Sequence, residues 1–186
     1  MGQHVSAAGE GAPLSADTLI PTAGQVIVSA LPACAVAIIS IPLLALFLPP
    51  DVAEQRTPWL LLIFLASVGA AGIVYHFTTG PRPRVDEKVL EAQWKRAFAA
   101  AATSGSLPPH PDVHVAAGVA ACRVIGGFML MVATLLGTVL CAFIRPELSW
   151  WDWGAIGLLT MAIVSAFSLR GAWTYLKVLH ADAQAR

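Results

Sequence analysis

Acidic and basic side chains are scarce in this sequence, and their absence from particular stretches says more than any motif. Only 12% of the 186 residues are Asp, Glu, Lys or Arg, against 57% hydrophobic, far from the balance of a soluble domain. No Asp, Glu or Lys falls inside any of four long apolar runs, which argues against proton relays and ion-coupled transport, since both generally need such groups at depth. Formal net charge is zero, so nothing points to nucleic acid as a partner. The first 25 residues contain no Lys or Arg and therefore lack the basic start of a secretory signal. The three cysteines, Cys34, Cys122 and Cys141, all sit in apolar runs without C-x-x-C spacing, which excludes a disulfide framework and a thiolate zinc site.

What is present is an alternation of membrane-length segments and short polar breaks. Val26 to Leu48, Trp59 to Phe77 and Val124 to Phe143 each have about the length needed to cross about 30 Å of hydrocarbon at about 1.5 Å per residue, and a fourth segment opens at Trp150, is uncharged from Gly154 to Leu169 and is closed by Arg170, Trp173, Tyr175 and Lys177. The fold class expected is all-α: an integral membrane bundle of four transmembrane helices in two antiparallel hairpins, with one further amphipathic helix between them. Residues 1–25 are expected to be a disordered tail, 26–78 the first hairpin, 79–114 a hinge, 115–179 the second hairpin and 180–186 a C-terminal tail. Pro32 and Pro42 are expected to kink the first span, with neighbouring helices or Ser29 and Ser40 satisfying the freed carbonyls. Small residues from Ala66 to Gly72, and the stripe Gly118, Cys122 and Gly126, allow close helix approach in lipid.

Orientation follows from the basic residues. Arg82, Arg84, Lys88, Lys95, Arg96, Arg123, Arg170, Lys177 and Arg186 lie in the hinge, near the hinge-side ends of spans or in the C-terminal region, whereas only Arg56 and Arg145 lie in the short loops. A multi-pass protein of the plasma membrane is expected, with the hinge and both termini cytoplasmic. Trp150, Trp151 and Trp153 mark one interface, Tyr75 and Trp173 the other.

The hinge carries a helix from Asp86 to Ala102, bounded by Pro81-Arg-Pro-Arg84 before it and by Gly105 and Pro108-Pro109 after it. Leu90, Trp94 and Phe98 recur at helical spacing beside Lys95 and Arg96. Such a face suits the headgroup layer or a partner protein, and equally the protein's own helix ends. The central helix followed by Gly105-Ser-Leu-Pro108, in an Ala- and Pro-rich chain, resembles a type of short four-span membrane protein of high-GC actinobacteria. The likeness covers mainly Trp94 to Arg123 and implies no activity.

Three functional readings follow. The preferred one is a non-enzymatic accessory or scaffolding subunit, contacting a protein partner or a second copy through the Leu90, Trp94, Phe98, Lys95 and Arg96 surface. The second is a small transporter or anionic-lipid-binding oligomer: Arg123 and Arg170 reach similar depth near the hinge side, His76 nearly so, and arginine suits bidentate phosphate contact. The third is a haem or metal protein using His110, His114 and His180. Pro111 disrupts the helical spacing of the first pair, and neither metal nor any other cofactor is expected.

Overall fold

The computed structural model describes residues 20–47, 58–79, 87–108, 111–146 and 150–185. The described residues form five helices: α1 (Ala23–Leu46), α2 (Pro58–Thr78), α3 (Glu87–Ser104), α4 (Pro111–Ile144) and α5 (Trp150–Ala185). All but α3 are long and apolar enough to cross a membrane. The chain is an all-helical integral membrane protein, with two antiparallel hairpins joined through α3. Positions 1–19, the stops at Pro49-Pro50 and Pro81 to Arg84, and His110 lie outside the described residues.

Helices α1 and α4 pack together at the centre, with α2 against α1 and α5 against α4. The α1–α4 contact is built on small residues. Ala23, Val26, Ala30, Ala33, Ala37, Ile41 and Ala45 recur every third or fourth residue and are all buried. Opposite them, Ala133, Gly137 and Cys141 are buried on α4. A Cβ on Gly137 would lie 2.9 Å from the Ala37 carbonyl oxygen and 3.1 Å from Ile41 Cδ1, so hydrogen at that position is what lets the two backbones approach. Lipid tails are as apolar as leucine, so such close van der Waals packing takes the place of hydrophobic drive between spans. The small stretch on α2 contributes less than its sequence implies: Ser67 and Ala71 are buried, but nothing lies within 4 Å of where a Cβ would stand on Gly69 or Gly72. On α4, Gly118 and Gly126 make room for side chains, Ile20 and Tyr75, rather than for a backbone.

The largest hydrophobic cluster lies elsewhere, at the end of the molecule that carries α3. With 34 and 36 residues, α4 and α5 run for roughly 50 Å, well beyond a hydrocarbon core of about 30 Å. The excess length is not left bare. Ala97, Phe98 and Ala101 of α3, Val113, Ala117 and Ala121 of α4, and Ala172, Tyr175, Leu176 and Leu179 of α5 close one core together with Ile20. Ala116 to Cys122 are buried without interruption, so α4 is enclosed on every side here, as a core helix is.

Several boundaries differ from expectation. Helix α1 begins at Ala23, because Thr22 and Gln25 form a reciprocal capping box: the Thr22 hydroxyl accepts from Gln25 N–H at 3.3 Å and the Gln25 amide oxygen accepts from Thr22 N–H at 2.9 Å. Residues 20–25 therefore belong to the folded part and not to a tail. Likewise α5 continues to Ala185 through what was expected to be a C-terminal tail. His180 holds both segments together, Nδ1 at 2.8 Å from the Leu176 carbonyl oxygen and Nε2 at 3.1 Å from that of Ile20. The serines of α1 do not cover the carbonyls freed by its prolines, those of Val28 and Ile38. Ser29 donates to Val26 O at 2.9 Å, and Ser40 Oγ is buried with no hydrogen-bond partner among the described residues. At the opposite end, Arg145 Nη1 donates to the Ala45 carbonyl oxygen at 3.0 Å, tying the ends of α1 and α4.

The α1–α4 contact can be tested at one atom. Gly137→Ala forces backbone apart from backbone and is expected to cost about 1–3 kcal/mol, the range for overpacking. It should appear as a lowered thermal midpoint of the detergent-solubilised protein. Gly127→Ala, with nothing within 4 Å, should show no such loss.

Candidate functional site

The candidate site lies where α3 leans on α5. A helical period places Trp94, Phe98 and Ala101 on one side of α3, and Gly105, with φ of 63°, lets the chain leave the helix. Its N–H still reaches back to the Ala101 carbonyl oxygen at 3.2 Å. Leu107 then packs onto the core.

Gly171 is the seat for Phe98. A Cβ there would stand 3.3 Å from Phe98 Cβ, tighter than ordinary van der Waals contact. One turn further along α5, Tyr175 is fully buried, with its ring centroid 5.6 Å from that of Phe98 in a tilted pair. Its hydroxyl donates to the His114 carbonyl oxygen at 3.3 Å, so a polar atom inside an apolar cluster is satisfied by α4. Trp94 packs on Phe98 from the other side at 5.1 Å. Phe98 itself is 7% exposed. The aromatic residues expected to meet a partner or the headgroup layer are thus turned onto the chain's own helices, Phe98 completely and Trp94 in part. Gln93, Lys95 and Arg96 of α3 are exposed. Helix α3 includes Leu90, whose side chain lies outside the described set.

Between α3 and α5 remains an open groove of ≈ 490 Å³. Its walls are Trp94, Lys95, Phe98, Ala99 and Ala102 from α3, Val124 from α4, and Phe167, Ser168, Arg170 and Gly171 from α5. Lys95 Nζ stands 5.6 Å from the Trp94 ring centroid, a cation–π contact, and Lys177 makes a similar one with Trp173 at 5.8 Å. Phe167 is 80% exposed, one turn before Arg170 on the same helix. The groove therefore joins two cationic side chains to aromatic and aliphatic walls. This combination suits an anion bearing an apolar tail.

Of the three residues expected to share one depth and one ligand, Arg170 alone lines this groove. Arg123 is exposed on α4, and His76 is exposed on α2 beside Phe77, at 5.9 Å between ring centroids. Helix α2 packs on α1, away from the α3–α5 contact. Arg170 is instead joined to Lys95, which the sequence places with the α3 surface. His114 Nε2 meets the Pro108 carbonyl oxygen, and His180 is held by Leu176 and Ile20. Both imidazoles therefore serve backbone carbonyls at chain crossings. Among the described residues no group of three or more His, Cys, Asp or Glu is placed to hold a metal ion.

No family model, curated protein or solved structure matches the chain.

The Phe98 seat predicts the effect of emptying it. Phe98→Ala should destabilise the α3 contact by about 3 kcal/mol, the low end for truncating a buried phenylalanine. Trypsin should then cut after Lys95 and Arg96 faster than in the parent protein at equal enzyme. Tyr175→Phe, which keeps the ring and removes one hydrogen bond, should accelerate cleavage less.

Proposed function

We propose that this integral membrane protein is a non-enzymatic accessory or scaffolding subunit of the plasma membrane, with α3 and both termini in the cytoplasm. The observation that carries the reading is the mounting of α3. Its apolar side is fixed on α4 and α5 by Ala97, Phe98 and Ala101, while Gln93 and Arg96 point outward from a helix that cannot swing freely. A surface helix whose attachment is already satisfied internally is an ordered platform, and ordering in advance lowers the entropy cost of docking. The contact surface is accordingly the polar side of α3, not the Trp94 and Phe98 side. The distribution of charge supports the orientation. Lys95, Arg96, Arg123, Arg170 and Lys177 belong to the end of the molecule that carries α3, and Arg145 to the other.

Two measurements test this. Purified in mild detergent from its own membranes, the protein should bring down a stoichiometric second polypeptide. Gln93→Glu combined with Arg96→Glu should lose it, with thermal stability unchanged. A single species eluting alone from both preparations would defeat the subunit reading. A cysteine placed at Gln93 should react with an impermeant thiol reagent only after the cells are opened, and labelling of intact cells would reverse the orientation.

A further inference from the structure

We propose that the groove between α3 and α5 binds an acidic phospholipid of the leaflet that faces α3, its phosphate held between Lys95 and Arg170 and its proximal acyl segment lying along Phe167 and Phe98. This inference does not depend on a protein partner. It rests on four features found together.

The first is depth. Arg170 follows the uncharged stretch from Gly154 to Leu169, so its guanidinium stands where hydrocarbon gives way to headgroups, and Trp173 lies one turn beyond it. The second is charge: among the described residues, the charged side chains lining the groove, Lys95 and Arg170, are cationic. A phosphodiester or phosphomonoester entering there meets donors of one sign, with the planar guanidinium able to make paired hydrogen bonds. The third is the wall opposite the charges. Phe167 is 80% exposed directly below Arg170, toward the bilayer interior, and Phe98 and Val124 form the floor. An apolar surface continuous with the hydrocarbon is what an acyl chain needs to stay in lipid while its headgroup binds. A free anion has no use for it. The fourth is shape. Gly171, which makes room for Phe98, also keeps that floor low, and Lys95 is held over Trp94 at one edge instead of ranging through solvent.

These features also separate a site from general attraction. Any basic residue at this surface draws anionic lipid. Arg96, like Arg170, is basic and exposed, but it does not line the groove. Surface attraction alone would treat the two alike, whereas a site distinguishes them.

The experiment uses full-length protein in nanodiscs of phosphatidylcholine doped with phosphatidylglycerol, reading bound phosphatidylglycerol per protein by native mass spectrometry after release into detergent. The parent protein should retain about one such lipid. Arg170→Gln should lower its affinity about ten-fold, the effect of removing one charge-assisted contact. Lys95→Gln should lower it in the same direction, and Arg96→Gln should leave it unchanged. Unchanged retention in both Arg170→Gln and Lys95→Gln would overturn the proposal, as would equal losses in Arg170→Gln and Arg96→Gln. Soluble glycerol phosphate added in excess should not displace the lipid; displacement would show a site for free anions and overturn the lipid assignment. Arg170 and Lys95 are exposed, so both variants should keep the parent's thermal midpoint.

Discussion

Two solvents act on this chain, and the boundary between them decides what kind of packing each part can have. Inside the bilayer, apolar side chains gain little by leaving lipid for one another, so α1 and α4 are held by proximity: a stripe of mostly alanine on one side and Gly137 on the other, where 2.9 Å would separate an added methyl group from a carbonyl oxygen. Outside it, the ordinary hydrophobic effect returns. The overhang of α4 and α5 would expose apolar surface to water, and α3 with Ile20 covers it. Several large side chains are gathered at that end, with Tyr175, Leu176, Phe98 and Ile125 in a single cluster, while between the spans alanine, glycine and cysteine pack around fewer large residues such as Ile41 and Ile63. Helix α3 is in this sense the lid of a small water-facing core set upon a membrane hairpin pair.

The need to satisfy backbone groups runs in parallel. Side chains make polar links where segments meet: Thr22 and Gln25 cap the start of α1, His180 meets the Ile20 carbonyl, Arg145 donates to the end of α1, and the Tyr175 hydroxyl finds its own partner in the His114 carbonyl. Three of these four links lie at the end carrying α3. They make that end a consolidated unit, with the N-terminal approach to α1 strapped across α4 and α5. The hydroxyls of Ser40 and Ser67, buried within the spans, have no hydrogen-bond partner among the described residues.

Most of the architecture was legible because it depends on local composition. Apolar runs of membrane length, Pro and Gly stops, and the spacing of Leu90, Trp94 and Phe98 yield five helices without any knowledge of contacts. The pairing of surfaces was not legible from the same signals. Glycine stripes on α2 and α4 were the obvious candidates for close approach, yet the close contact uses the alanines of α1, whose positions 23, 30, 33, 37 and 45 keep three-and-four spacing only together with Val26 and Ile41. Alanine is common in this chain, and its pattern is therefore harder to separate from background than that of glycine. A similar depth was the reason for expecting Arg123, Arg170 and His76 together, but depth is one coordinate of three. Which side of a helix a residue occupies is fixed by its neighbours, and these place Arg170 with Lys95 and put His76 on α2, the helix packed against α1.

The aromatic side of α3 shows how one surface can be read in opposite ways before its neighbours are known. Trp94 and Phe98 beside Lys95 and Arg96 have the pattern of a helix seeking a membrane or a partner. Gly171 changes the meaning of that pattern, since a glycine one turn before a buried tyrosine creates a recess on α5 that a phenylalanine can fill. Filling it consumes the apolar side of α3 and leaves a gap where the fit is incomplete, between Trp94 and Phe167, beside Arg170. The same contact thus fixes the helix and opens the groove. Any ligand entering there would touch both the lid and the span beneath it, and occupancy would bear directly on how firmly α3 is held.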